Sequence, residues 1–222
     1  MKKVTFKNRQ DAGYKLAMRL VNRGYKGENI LVIGMPRGGL VVADEVAKIL
    51  SAALDVIIVR KLRAPYQPEL GIGAVVDGDH VILYEESVHA LGVSQDYLSR
   101  EIAYQKEEGK RGLRFYRDQR PPPEISGKTV IVVDDGIATE DPFRASLESL
   151  RQRHPERLVA AAPVAAREPV EMLCAYADEI ICLKISLSFY AVSTWYQKSD
   201  RVSDEKSATI LQHNWFSWPL AA

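Results

Sequence analysis

Residues 128–144, Lys-Thr-Val-Ile-Val-Val-Asp-Asp-Gly-Ile-Ala-Thr-Glu-Asp-Pro-Phe-Arg, limit the folding options of this chain more than any other stretch. Val130 to Val133 form an unbroken β-branched run that stops at two carboxylates, Asp134 and Asp135. A run without polar alternation fits a strand buried on both faces, as in a parallel sheet covered by helices. A short loop follows, and a helix starts near Pro142, a residue suited to a first helical turn. In open parallel α/β sheets, ligands sit outside the carboxyl ends of the strands. The stretch therefore predicts a fold class and a place for chemistry at once.

The flanking pattern agrees. Apolar spacing predicts a helix over 9–22, stopped by Gly24, and a buried strand over Ile30–Gly34. Met35-Pro36-Arg37-Gly38-Gly39 reads as a turn, Leu40–Leu50 as an apolar helix and Asp55–Val59 as the next strand, which makes a parallel βαβ unit. After the central run come a helix bearing Phe143, Leu147 and Leu150, a strand over Leu158–Val164, a helix over Glu168–Tyr176 and a strand over Glu179–Leu183. The fold class is α/β, a mainly parallel central sheet of about five strands with flanking helices. At 222 residues the chain is long enough for a well-buried core. It reads as a single domain, 1–222, with an insertion over about 62–125 and a C-terminal hood over about 186–222.

Within the insertion, Arg60–Leu70 reads as a loop with two prolines, and Gly71–Val76 with His80–Tyr84 as a hairpin about Asp77-Gly78-Asp79. Ser94 to about Asp118 is a charged helix supported by the pairs Asp96/Arg100 and Glu107/Arg111. Gly109 and Gly112 weaken it by roughly 1 kcal/mol each relative to alanine, so a long, exposed and mobile arm is expected. Pro121-Pro122-Pro123 is a stiff connector. The hood carries Phe189, Tyr190, Trp195 and Tyr196, then a helix from Ser203 to about Gln212.

Composition closes several doors. Lys plus Arg total 30 against 29 acids, a formal net charge of +1, so nucleic acid is not the expected partner. A small phosphorylated ligand needs only a local patch. Cys174 and Cys182 have no metal-type spacing and read as reduced, buried thiols. The basic N-terminus lacks the apolar run of a signal peptide, and no run approaches the ~20 apolar residues of a membrane span, so a cytoplasmic, soluble protein is expected. His80, His89, His154 and His213 have no partners at catalytic spacing and read as surface residues. Gly127-Lys128-Thr129 imitates the end of a P-loop, but it precedes its strand and lacks the upstream glycine.

Three stretches can carry chemistry. Asp134-Asp135 at a strand end can accept hydrogen bonds from a sugar diol, coordinate Mg²⁺ through oxygen, accept a phosphoryl group, or form a solvated acidic turn. The phosphoryl-acceptor motif of two aspartates flanking one residue is absent. Gly136, Ile137, Ala138 and Thr139 lead into a helix start, where unpaired N–H groups and the dipole favour phosphate. Pro36, Arg37, Gly38 and Gly39, after the first core strand, form a second anion site or a plain turn. Arg60 and Lys61, at the end of the second strand, point to the same edge. Trp195 could stack on a planar base.

Val130-Ile-Val-Val-Asp-Asp-Gly-Ile-Ala-Thr139 resembles the fingerprint of type I phosphoribosyltransferases, which bind phosphoribosyl pyrophosphate (PRPP). Gly34-Met-Pro-Arg-Gly-Gly39 resembles the family's pyrophosphate loop. Val59-Arg-Lys61, Ala64-Pro65, Pro68-Glu69, Gly71-Ile-Gly-Ala74 and Phe189-Tyr-Ala-Val192 are similar to a bacterial and archaeal subgroup. The resemblance implies transfer of ribose 5-phosphate from PRPP to a nitrogen acceptor such as a nucleobase, in a protein often dimeric. It implies that Asp134 and Asp135 hold the ribose hydroxyls, and that Gly136 to Thr139 with Arg144 hold the 5′-phosphate. Pro36 to Gly39, with Arg60 and Lys61, would meet pyrophosphate. Mg²⁺ would enter as cofactor through the ligand, with Asp134 and Asp135 as candidate oxygen donors.

The loop departs from the fingerprint. A small residue, a variable position and Thr or Ser are replaced by Glu140, Asp141 and Pro142. Asp141 followed by Pro142 also fits a helix that caps itself and so fills its own phosphate donors. Two rivals to the transferase stand beside it: a catalytically weakened binding module that senses a nucleotide or a partner, and a Mg²⁺-dependent sugar-phosphate hydrolase.

Overall fold

The structure, a computed structural model, describes residues 5–118 and 120–217; the last residues assigned to the hood, 218–222, lie outside it. In chain order the elements are α1 (Arg9–Val21), β1 (Ile30–Gly34), α2 (Gly38–Leu50), β2 (Ala53–Val56), β3 (Val59–Ala64), β4 (Gln67–Val76) and β5 (His80–Leu83). Then follow α3 (Glu85–Ala90), α4 (Gln95–Arg117), β6 (Thr129–Val133), α5 (Asp141–Arg151), β7 (Arg157–Ala166), α6 (Arg167–Leu173) and β8 (Glu179–Ser186). A 3-10 turn (Val192–Trp195) and α7 (Asp204–Ser217) complete the chain.

Five strands form one sheet in the order β2-β1-β6-β7-β8, and every pairing in it is parallel. The β-branched run of β6 lies at the centre with Val130 to Val133 fully buried. Its period of two divides the core. Ile131 and Val133 face the layer of α1, α2 and α7, where Leu16, Val46 and Leu211 pack. Val130 and Val132 face Phe143, Leu147 and Leu173 of α5 and α6. Each such side chain taken wholly out of water contributes about 1.5–3 kcal/mol. This two-sided burial is why no polar alternation survives in the strand. Among the described residues no helix is long and apolar enough to cross a membrane.

The insertion differs from its expected form. The strand expected over Asp55–Val59 is divided: β2 ends at Val56, and Val59 opens β3 of a separate antiparallel sheet, β3-β4-β5. Arg60–Leu70 is therefore not a loop but most of β3 and the start of β4, turning at Pro65-Tyr66. Leu62 and Ala64 alternate inward onto a small core with Ile72, Val75 and Leu98, and that burial outweighs the charges and prolines between them. The expected hairpin at Asp77-Gly78-Asp79 joins β4 to β5.

The arm is also not free. Ser94 caps α4 by accepting from the Tyr97 N–H, and the helix buries Leu98, Gln105, Tyr116 and Arg117. Gly109 lets α4 cross the hairpin turn, because a Cβ there would sit 2.7 Å from the Gly78 Cα. Arg117 is held by Asp55 of β2 and Asp77 of the turn, at 2.8 and 3.5 Å. His80 is half-buried in this hairpin rather than on the surface, and its Nε2 is enclosed. Cys174 is exposed, against the expected burial, while Cys182 is partly buried and its thiol is pushed up to about 12 by desolvation.

Candidate active site

The chain leaves β1 through α2 toward β2, and leaves β6 through α5 toward β7, in opposite directions along the sheet. The carboxyl ends of β1 and β6 thus border the crevice where such sheets bind ligands. The two loops touch there: the Met35 N–H donates to the Val133 carbonyl at 2.9 Å. Glycines permit a closer approach still. A Cβ on Gly38 would lie 2.6 Å from the Asp135 Cγ, and one on Gly39 would lie 2.5 Å from the Asp134 Oδ1. The Gly-Gly pair lets the start of α2 rest against the acid pair.

The two carboxylates have different surroundings. Arg9 Nε donates to Asp135 Oδ2 at 2.7 Å, and the Tyr196 hydroxyl donates to the Asp135 carbonyl at 2.6 Å. The Asp135 N–H donates to Asp134 Oδ1 at 2.7 Å. Burial, and then the neighbouring Asp135 charge, push the Asp134 carboxyl well above the usual carboxylate range. Arg9 supplies the charge that compensates Asp135.

The following loop is pinned at one point and open at another. Ile137 is buried and pairs with β7: its N–H donates to Val164 at 2.9 Å, and its carbonyl accepts from Ala166 at 2.8 Å. Ala138 and Thr139 are exposed, and among the described residues no group accepts from the N–H of Ala138, Thr139 or Glu140. Pro142 occupies the first turn of α5, as expected.

Helix self-capping by Asp141 does not occur. Glu140 holds the cap position with no side-chain bond, and Asp141 is the first helical residue. Its carboxylate turns to β4, with Oδ2 3.1 Å from where a Gly71 Cβ would be. Burial and then the Glu140 charge raise its carboxyl above the ordinary range. The buried Tyr84 hydroxyl lies beside it without completed hydrogen-bond geometry.

The structure separates the remaining candidates. Arg144 turns away from the loop: its Nε donates to Glu148 at 2.8 Å, and its guanidinium lies between the rings of Tyr84 and Tyr176, 4.4 and 5.1 Å from their centroids. Arg60 and Lys61 are neighbours in β3, not the end of the second parallel strand, and so face opposite sides. Arg60 Nε donates to Gln105 of α4 at 3.1 Å, whereas Lys61 Nζ donates to the Glu69 carbonyl at 3.1 Å. Trp195 packs in the hood, 6.0 Å from Phe189 and 24° from parallel, and its carbonyl accepts from Thr5 and Phe6.

A cavity of about 660 Å³ opens beside the crevice. Met35, Pro36 and Arg37 form one side, Arg60 and Phe115 another, and Pro142 reaches it from α5. Trp195 lies outside its lining. Arg37 has a left-handed backbone, φ 65°, at the cap of α2. Its guanidinium donates to Asp204 of α7 through Nε and Nη2, at 3.2 and 3.3 Å. Among the described residues no group of three or more His, Cys, Asp or Glu is arranged to hold a metal ion.

Sequence reasoning missed Arg9, Tyr116 and Asp204. Arg9 stands 126 positions from Asp135, and neither local pattern signals the pairing. Asp204 lies in the first turn of α7, where an acid suits the helix dipole, and nothing local signals its partner.

A doubly wound parallel sheet with an acid pair, an open-amide loop and an arginine-bearing turn at its switch point is the architecture of phosphoribosyltransferase-type proteins. The chain belongs to the phosphoribosyl transferase family, since the family described as "Phosphoribosyl transferase domain" matches residues 6–197. Two curated relatives from Mycobacterium tuberculosis strains, "Putative phosphoribosyl transferase MT0597" and "Putative phosphoribosyl transferase Rv0571c", are each 35% identical over 209 residues. That alignment covers 93% of this chain and 46% of each relative, so the chain spans about half their length. The crystal structure of TT1426 from Thermus thermophilus is similar at 40% identity and TM-score 0.83, covering 94% of this chain and 98% of that one. AQ2163 from Aquifex aeolicus shares the fold at 13% identity and TM-score 0.51, covering 80% and 74%.

Proposed function

We propose that the protein transfers ribose 5-phosphate from Mg²⁺-bound PRPP to a nitrogen acceptor, such as a nucleobase, and releases pyrophosphate. The observation that carries this reading is the convergence, at one switch point, of the acid pair, three loop amides without partners among the described residues and the Arg37-Gly38-Gly39 turn. Positive charge develops at the sugar carbon as pyrophosphate leaves, so catalysis is mostly positioning and charge stabilisation. Asp134 and Asp135 would accept from the ribose hydroxyls, with Arg9 fixing the orientation of Asp135. The amides of Ala138 to Glu140 would hold the 5′-phosphate at the start of α5. Arg37 and the Gly38 amide would meet the leaving group, and Arg60 lies across the cavity from Arg37. An ion bound with PRPP would supply further neutralisation of phosphate charge beside Arg37. The cavity of about 660 Å³ falls in the size range of small-molecule sites and would receive the acceptor.

A second reading has its own support: Glu140 and Pro142 stand where the loop meets α5, bringing an acid and an imino ring to the phosphate position, which suits a binding module with weakened turnover. The test is pyrophosphate release from Mg²⁺ and PRPP with a panel of purines, pyrimidines and simple amines. Release that requires an acceptor supports the transferase. Release without one identifies a hydrolase, and PRPP binding with no release under any condition identifies the binding module.

A further inference from the structure

Helix α7 begins after residue 197, where the match to the family ends, yet it contributes to the cavity. Asp204, its first residue, accepts from two nitrogens of Arg37 and also from the Tyr116 hydroxyl of α4, at 2.5 Å. The Ser207 hydroxyl, one turn on, lies 3.1 Å from the Ser203 carbonyl and 3.4 Å from the Arg37 carbonyl, so its one proton is shared between them. One helix thus bonds the side chain and touches the backbone of the arginine whose φ is left-handed.

We propose that Asp204 is a positioning residue that aims the Arg37 guanidinium at the pyrophosphate group, with Tyr116 fixing the Asp204 carboxylate. The inference rests on the transferase reading of the site. The alternative role for such a carboxylate is a lock that the ligand must push aside. The packing of α7 favours the positioning role, and the titration below separates the two. Ser207 and Leu211 of α7 are fully buried, and Ala208 is nearly so, in the core shared with α2 and β2. Asp204 is thus carried on a helix anchored in the core, although its own side chain and that of Arg37 are 42% and 53% exposed. The geometry also leaves the arginine able to work. Asp204 occupies the Nε edge and one Nη2 hydrogen, and among the described residues no group accepts from Nη1, which leaves both its hydrogens for an anion. The Asp204 carboxyl is held below its ordinary value, first by the Arg37 bond and then by the Tyr116 hydroxyl, so it remains ionised and paired at neutral pH. Fixing a rotamer-rich side chain before binding lowers the ordering cost of binding.

The test is calorimetric titration of the full chain with Mg²⁺-pyrophosphate and, separately, with Mg²⁺-PRPP. Asp204→Asn is expected to weaken pyrophosphate binding about tenfold, Tyr116→Phe by a smaller factor, and Asp204→Glu is expected to recover part of the loss. In an Arg37→Ala background, Asp204→Asn should change affinity less than twofold, a coupling that a merely structural role would not show. Melting temperatures of all variants identify any that fail to fold, and Tyr116→Phe keeps the test alive if Asp204→Asn does. Unchanged or tighter pyrophosphate binding by Asp204→Asn, when the unaltered protein binds, overturns the positioning role alone. Tighter binding in particular would reveal a lock or plain charge repulsion. If the unaltered protein binds neither pyrophosphate nor PRPP, the reading of the site itself has failed.

Discussion

Replacing Arg117 with Leu tests how α4, the helix of the insertion, is held to the core. Arg117 closes α4, and its Nη2 lies 2.8 Å from Asp55 Oδ2, 2.7 Å from the Val56 carbonyl and 3.5 Å from Asp77. The Arg117 and Asp55 side chains are 8% and 5% exposed, so water screens the pair little. At 2.8 Å the attraction is about 6 kcal/mol for an effective dielectric of 20, before desolvation is subtracted. Removing one partner of a buried pair costs about 3–5 kcal/mol, because the other charge is left without compensation. For a chain of this size that lowers the melting temperature by roughly 6–20 °C, at about 2–4 °C per kcal/mol.

The deficit should depend on pH. Burial already raises the Asp55 and Asp77 carboxyls above their ordinary value of 3.8, with Arg117 opposing that rise. Without the arginine they rise further. Between 3.8 and the raised value the folded state binds more protons than the unfolded state, so stability falls as pH increases across that window. Arg117→Leu should therefore lose most at neutral pH and recover as pH falls toward the ordinary carboxylate range. Adding Asp55→Leu should restore much of the loss at neutral pH. Chemical denaturation across pH, with hydrogen exchange along α4, reads both effects. A loss below about 1 kcal/mol at pH 7 would refute the buried-network argument, as would a loss that grows on acidification.

Three further outcomes follow from close contacts and charge. Gly109→Ala should destabilise by about 1–3 kcal/mol in urea titration, because its Cβ would lie 2.7 Å from Gly78 Cα; a gain of ~1 kcal/mol, the helix-propensity expectation, would show that the crossing is looser. Gly39→Ala should lose a similar amount and also weaken PRPP binding, since its Cβ would meet Asp134 Oδ1 at 2.5 Å and the Asp134 Cα at 3.0 Å; unaltered PRPP affinity would separate this turn from the ligand site. Glu140→Gly combined with Pro142→Thr should tighten PRPP binding by calorimetry about tenfold or more, as removing a like charge ~4 Å from phosphate is worth on the order of 1–4 kcal/mol. Weaker or equal binding would place the 5′-phosphate elsewhere.

The parallel core was legible because Val130 to Val133 and Ile30 to Ile33 carry their burial in their own composition: both faces of each strand are covered, so neither can tolerate a polar residue. The same run ends at its functional acids, so the location of the candidate site was legible with it. The β3–β4 hairpin was not. Its inward residues, Leu62 and Ile72, are separated by Arg63, two prolines, Glu69 and Gly71, and only a core completed by Leu98 of α4 makes them a sheet. The arm misled for a related reason. Its glycines read as weaknesses until the crossing at Gly78 showed that Gly109 is where two backbones touch.

The same division runs through the 128–144 stretch. By itself the sequence determined the strand, the acid pair at its end, the loop and the start of α5, all of which depend on neighbours a few residues apart. Tertiary structure decided where each charge goes. Asp141 turns to the β4 side instead of capping its helix, Arg144 lies between two tyrosines, and Arg9 and Asp204 arrive from opposite ends of the chain to meet Asp135 and Arg37. Short-range periodicity records which backbone segments form. Long side chains find partners wherever the packed elements bring opposite charges within about 3 Å, and no local pattern encodes that meeting.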